Sequence, residues 1–297
     1  MPRPSRPWRR AATVLAAGAG LILALSACSP SSGTTAPSPA GTGSGLPDAH
    51  VHGLSVSSET GQVLLATHDG LFDVTKQPAT KIGATNDLMG FTGGTDHGVL
   101  YASGHPGEGS SLPNPIGLIR STDAGKSWEQ LSRQGESDFH ALTATKSGIV
   151  GFDGALRTSP DGKTWTTGAA DFVPAVLAGN PTSDTVLATT PQGIRRSTDG
   201  GKTWTRVEFG PVVQFAAFAG PAEAVGVEPD GTVHSSADAG ATWIRKGEIQ
   251  DTVQAVAAVK GPDAKLVIWA ATASGIVVST DGGATFRSVG ASRGLDA

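Results

Sequence analysis

The chain has 297 residues, 41 of them glycine and 19 proline, with a single cysteine. Intramolecular disulfides are therefore excluded, and the length suits one large domain of repeated units. The formal charge of −4 leaves no basic field for nucleic-acid phosphates.

Arg3, Arg6, Arg9 and Arg10 precede a short apolar run from Ala11 to Leu25. That run is too short for a membrane span and fits a secretory signal. Leu25-Ser26-Ala27-Cys28 resembles a lipobox, which implies cleavage after residue 27 and lipidation of Cys28. Residues 1–27 are thus expected to be a lipoprotein signal peptide. Residues 28–48 form the lipidated cysteine and a Ser/Thr/Pro/Gly-rich tether. The expected location is the extracellular face of a bacterial cell membrane, held there through lipid on Cys28. Loss of residues 1–27 removes four arginines and no acid, moving the formal charge from −4 to about −8.

The remainder, 49–297, is repetitive. Ser197-Thr-Asp199-Gly-Gly201-Lys-Thr203-Trp204 recurs around Asp123, Asp238 and Asp281, and in a shorter copy around Asp161. The copies stand about 40 residues apart, a spacing that marks a repeat architecture. Each is expected to be a hairpin turn. The Asp carboxylate accepts backbone N–H groups a few residues on, and the glycine takes a positive φ. The aromatic residue that follows fills the space between sheets. The pattern S-x-D-x-G-x-T-W resembles the Asp-box (BNR) repeat of sialidase-type β-propellers, in which the boxes are scaffold.

Short β-type runs fill 49–297 without a convincing helical period. A small residue recurs in one strand of each repeat, at Gly53, Gly90, Ala141, Ala175, Ala216 and Ala255. Crowding near a propeller axis explains that choice, so these are the innermost strands A. Glycines 70, 117, 154, 193, 231 and 275 lead strands C. The expected fold is all-β, a six-bladed propeller whose first blade lacks an Asp box. The strand count starts at strand A of the first blade and ends at strand D of the sixth. No strand exchange closing the ring is evident.

In such a propeller the strand A starts and the B–C loops share one face. His50, His52, His68, His105 and His140 are expected there, away from His97 and His234. Asp87, Asp138, Asp171 and Asp251 just precede strands A. One reading leaves these groups as satisfied strand ends and turns. A second is a divalent-metal site for Zn or Cu, with His50 and His52 on one side of a strand. A third is a carbohydrate site using a carboxylate pair, with Asp69, Glu108, Asp138 and Asp153 as catalytic candidates.

The resemblance to sialidases implies three substrate-binding arginines, a Tyr–Glu nucleophile and an Asp acid/base. The chain has one tyrosine, Tyr101, and no F/Y-R-I-P motif. Arg120, Arg157 and Arg196 occupy one repeated strand C position, so sialidase chemistry is not expected. His50-Val-His-Gly-Leu54, Ala66-Thr-His-Asp-Gly-Leu71, Asp87-Leu-Met-Gly-Phe91 and Ser103-Gly-His-Pro-Gly107 resemble secreted bacterial glycosylhydrolase-like BNR propellers. The leading expectation is a monomeric exported lipoprotein binding a small molecule, glycan or protein at the His/Asp-rich face of blades 1–3. A glycosidase-like hydrolase acting on extracellular glycans and a structural assembly-factor propeller are the alternatives.

Overall fold

The computed structural model describes residues 46–290. The expected signal peptide, Cys28 and most of the tether lie outside the described residues. Among the described residues every regular element is a strand. Blade 1 comprises β1 (Val51–Val56), β2 (Val63–Thr67), β3 (Gly70–Asp73) and β4 (Thr80–Ile82). Blade 2 comprises β5 (Asn86–Gly93), β6 (Leu100–Pro106), β7 (Leu118–Ser121) and β8 (Glu129–Ser132). Blade 3 follows with β9 (Ala141–Thr145), β10 (Gly148–Phe152), β11 (Leu156–Ser159) and β12 (Thr166–Thr167). Blade 4 contains β13 (Val176–Gly179), β14 (Val186–Thr190), β15 (Gly193–Ser197) and β16 (Thr205–Arg206). Blade 5 contains β17 (Phe215–Phe218), β18 (Ala224–Val227), β19 (Thr232–Ser236) and β20 (Ile244–Glu248). Blade 6 is β21 (Val253–Lys260), β22 (Leu266–Thr272), β23 (Gly275–Ser279) and β24 (Arg287–Ser288).

Each blade is an antiparallel meander of four consecutive strands. The expected six blades are present, and among the described residues no strand is exchanged between them. Consecutive inner strands pack against one another around the ring, and β21 packs back on β1. Their residues, among them Leu54, Thr92, Leu142, Val176 and Val256, line a central space of about 530 Å³.

The small-residue rule at strand A has a direct steric cause. A Cβ on Gly90 would stand 2.1 Å from the carbonyl oxygen of Phe139, at the entry to the next blade. Adjacent inner strands approach too closely there for any side chain.

Apolar burial is organised between blades, with one cluster at each of the six junctions. The Asp boxes feed these clusters. Trp128, Trp165, Trp204, Trp243 and Phe286 each pack into the junction with the preceding blade. Blade 1 has no box, so the blade 6–blade 1 junction uses other residues. Val51, Val63, Leu65 and Val74 meet Ala255, Ala271 and Ile276 there, with Phe72 and Trp269 packed alongside. Ring closure therefore rests on side-chain packing.

The boxes form the expected turns. Asp123 Oδ1 accepts the Ser127 N–H at 2.9 Å and its Oδ2 accepts the Ser127 hydroxyl at 2.6 Å. Ser121 Oγ accepts the Gly125 N–H at 2.8 Å. The same set recurs at Asp199, Asp238 and Asp281. The short copy bonds one residue earlier, with Asp161 Oδ1 accepting Lys163 N–H and Thr164 N–H. In blade 1, Asp73 makes a simpler turn by accepting the Thr75 N–H at 2.9 Å.

Candidate functional site

Antiparallel meanders put the starts of strands A and the B–C turns on one face, opposite the Asp boxes. His50 immediately precedes β1, and His68 immediately follows β2. The His68 N–H donates to the His50 carbonyl at 3.2 Å, which holds the two residues side by side. His52 occupies an irregular point of the β1–β2 ladder. Val51 pairs with Thr67 and Gly53 with Ala66, leaving His52 as the extra residue of a bulge. A bulge re-aims its side chain, and here His52 is gathered with its neighbours. Its ring centroid lies 4.9 Å from that of His50 and 4.5 Å from that of His68.

The three imidazoles offer ligand atoms that all lie within 4.8 Å of one another. His50 and His68 are exposed, whereas the His52 side chain is only 7% exposed. Burial pulls the His52 pKa down to about 4; Asp87 opposes this, and His68, His50 and His140 reinforce it. The neutral imidazole is the form that can ligate a metal.

Asp87, at the start of β5, serves this group from the next blade. His68 Nδ1 lies 2.8 Å from Asp87 Oδ2, so Nε2 is the ring atom turned away from the carboxylate. Such a carboxylate–histidine arrangement orients metal-binding imidazoles. His52 Nε2 lies 3.3 Å from Asp87 Oδ1, yet both atoms are buried without a hydrogen-bond partner. Gly104 makes this placement possible, since a Cβ there would sit 2.0 Å from the Asp87 carbonyl oxygen.

A second group repeats the plan one blade on. His105 lies within β6, paired in register with Asp87, and not in the B–C loop where the sequence pattern puts it. Its Nε2 approaches Asp138 Oδ2 at 3.1 Å, and His140 Nε2 approaches the same oxygen at 3.4 Å. Asn114, from the long β6–β7 connection, meets His105 Nδ1 at 2.7 Å. The segment carrying Asp138 is docked on blade 2 by the Phe139 N–H, which donates to Ser103 Oγ at 2.9 Å.

The other candidates are placed differently. Asp69 and Glu108 are exposed on turns of this face. Asp153 is buried at the side chain and ion-paired with Arg157 at 2.8 Å. Burial opposes its ionisation, but hydrogen bonds from Ser137 and Arg157 outweigh that and hold its pKa below the usual carboxylate range. A carboxylate so committed to its charge is poorly suited to donate a proton. Asp171 is exposed near Arg195, and Asp251 accepts the Ser274 N–H at 2.8 Å. Only Asp87 and Asp138 of the four carboxylates preceding strands A reach the histidines. Asp87 was legible as a strand-entry acid, but nothing in its sequence context marked it as the partner of His52 and His68.

His97 and His234 stand apart, near Glu59 and Glu228 respectively. The three repeated arginines are scaffold. Arg120 pairs with Glu129 at 2.9 Å, Arg157 with Asp153, and Arg196 Nε donates to the Ala239 carbonyl at 2.8 Å. Tyr101 sits in β6 and packs at the blade 2–blade 3 junction. None of these residues forms a sialidase constellation.

The BNR/Asp-box repeat model matches residues 195–206, the strand C–box–strand D hairpin of blade 4. None of the curated proteins matches the chain. Among solved structures, a GH74 enzyme of Niastella koreensis is 16% identical over 81% of this chain, with a TM-score of 0.56. The GH74 xyloglucanase of Xanthomonas campestris is 14% identical over 81% of this chain, with a TM-score of 0.57. The matches cover 37% and 38% of those two chains, so this chain spans less than two thirds of their length. The WD40 repeats of RRP9 match at 10% identity over 82% of this chain and 80% of theirs, with a TM-score of 0.51. Likeness at this level shows fold alone. On the strength of its five box hairpins, its six four-stranded sheets and these neighbours, the chain is a six-bladed β-propeller of the BNR/Asp-box type.

Proposed function

We propose that this chain is an exported lipoprotein, anchored through Cys28, whose propeller binds its ligand through a divalent metal ion held by His50, His52 and His68. One observation carries the reading. Three imidazole ligand atoms lie within 4.8 Å of one another, and the buried Nε2 of His52 has no hydrogen-bond partner. An unpaired buried polar atom costs about 1–3 kcal/mol, and a metal ion accepting its lone pair removes that cost.

The donor set fits zinc or copper, both of which take neutral imidazole. Exposure of His50 and His68 leaves the ion open to solvent, so an incoming ligand can complete its coordination. Asp87 Oδ2, 2.8 Å from His68 Nδ1, favours the tautomer that leaves Nε2 to the ion. The ligand class consistent with this site is a small molecule, glycan or protein group that offers an oxygen or nitrogen donor.

The test is metal analysis of the purified protein after exposure to Zn²⁺ and Cu²⁺, with His52→Ala and His50→Ala beside the wild type. Stoichiometric metal in the wild type, lost in both variants, is expected. Metal at background level in the wild type overturns the reading and turns attention to glycan binding, with Asp69→Asn and Glu108→Gln as the first variants.

A further inference from the structure

We infer that Val173, Phe209 and Val212 rest on the surface of the membrane to which Cys28 is anchored, one rim of the propeller touching the lipid. The inference goes beyond the metal-binding reading and rests on the lipid anchor proposed above. Its basis is the place where exposed apolar side chains gather.

Among the described residues, four large apolar side chains are exposed: Val173, Phe209, Val212 and Ile244. Ile244 lies on the outer strand β20. The other three lie on two successive connections, Val173 between β12 and β13, and Phe209 and Val212 between β16 and β17. Both connections run from a strand D to the next strand A, so they belong to the face that carries the histidines. The equivalent connections after β4, β8 and β20 expose only polar residues, glycine and alanine.

Phe209 departs furthest from what folding alone would choose. Its side chain is fully exposed. Its backbone holds a φ of 58°, in the left-handed region that a bulky residue enters only at a cost. The turn gains nothing from an aromatic ring held in water there. A partner that takes the ring out of water supplies the missing gain.

The tether says which partner. Leu46 packs at the blade 6–blade 1 junction, and His50 enters β1 from the histidine face, so the chain from Cys28 joins the propeller on this side. A Ser/Thr/Pro/Gly-rich tether of about 20 residues has a root-mean-square reach of about 25 Å. Confinement of that kind gives a local concentration on the order of millimolar, so shallow insertion of three side chains is enough to hold the rim to a bilayer. Asp171 and Glu208 stand beside the apolar residues and are exposed, which suits a neutral lipid surface better than an anionic one. Blade 1 stands opposite blade 4 in the ring, so contact at this rim leaves His50, His52 and His68 clear of lipid.

The experiment reconstitutes the lipoprotein in phosphatidylcholine vesicles that carry head-group spin labels. Cys28 is the only cysteine and lipidation consumes its thiol, so Phe209→Cys offers one free thiol for an environment-sensitive fluorophore. Lys202→Cys, exposed on the blade 4 box at the opposite face, is the control. Emission from position 209 is expected to shift to the blue and to be quenched by the spin label, while position 202 stays in water. Adding Val173→Ser/Val212→Ser to Phe209→Cys should reverse most of that quenching. Melting curves confirm folding throughout.

Unquenched emission from both positions overturns the proposal. Quenching at position 209 that Val173→Ser/Val212→Ser leaves unchanged also overturns it, because the fluorophore then inserts by itself. A blue shift that grows with protein concentration in the absence of vesicles assigns the patch to a second copy and overturns the lipid reading. The mass of the Cys28 peptide tests the anchor separately. If no lipid is attached, the anchor falls, and the same measurements in a Cys28→Ser background decide the patch: quenching at position 209 upholds it, and its absence overturns it.

Discussion

Asp87 Oδ2 of blade 2 lies 2.8 Å from His68 Nδ1 of blade 1, so the histidine cluster is flanked by a carboxylate of the neighbouring blade. Carboxylates in this position raise the basicity of the imidazole and fix its ring. Their loss typically lowers metal affinity 10–100-fold. Asp87→Asn is expected to weaken Zn²⁺ binding by about that factor, with the wild-type melting temperature nearly retained. Competition against a chromophoric chelator measures it.

Gly90 faces the Phe139 carbonyl where blades 2 and 3 meet. Gly90→Ala must displace backbone, since no side chain there can move aside. Overpacking of this kind costs about 1–3 kcal/mol. Chemical denaturation should show a loss of that size, and the shift of the blade 3 entry should also disturb His140. The equivalent inner position of blade 3 is already alanine, so Ala141→Gly should be milder.

The box aspartates couple stability to pH. Side-chain and backbone hydrogen bonds from Ser127 bring the Asp123 pKa down to about 2, and the Thr242 hydroxyl and N–H do the same for Asp238. Folded values below the ordinary 3.8 mean that these groups contribute stability above pH 3.8, which is lost as pH falls toward about 2. Thermal melts between pH 5 and pH 2 should therefore drop steeply. Asp238→Asn should lower the melting temperature at pH 5 and flatten that drop. An equally steep drop in the variant would remove Asp238 from the explanation.

The blade 6–blade 1 junction that closes the ring is packed without a box aromatic. Leu65 is fully buried there, and Leu→Ala at such a site costs about 2–5 kcal/mol. Leu65→Ala is expected to destabilise the whole propeller by that amount. Hydrogen exchange should show β1 and β21 losing protection before β13 and β17 do. Uniform loss across all inner strands would mean that closure is no weaker than the other junctions.

The five boxes, the Gly-led third strands and the small residue of each inner strand are local patterns with local causes. A carboxylate bonds a turn a few residues away, and a positive φ calls for glycine. For that reason blade number, strand order and the scaffold role of Asp123, Asp161, Asp199, Asp238 and Asp281 could be read directly from the chain. The face bearing the five histidines followed from the same topology. Tertiary structure alone decided which of those residues meet. The His52 bulge depends on how β1 and β2 pair, and Asp87 and Asp138 reach histidines of preceding blades because the ring brings distant segments within hydrogen-bonding distance. Asp153 looked like its fellow acids in sequence, and only its burial against Arg157 separates it from them. Chain neighbours set the repeat, whereas through-space neighbours set the chemistry.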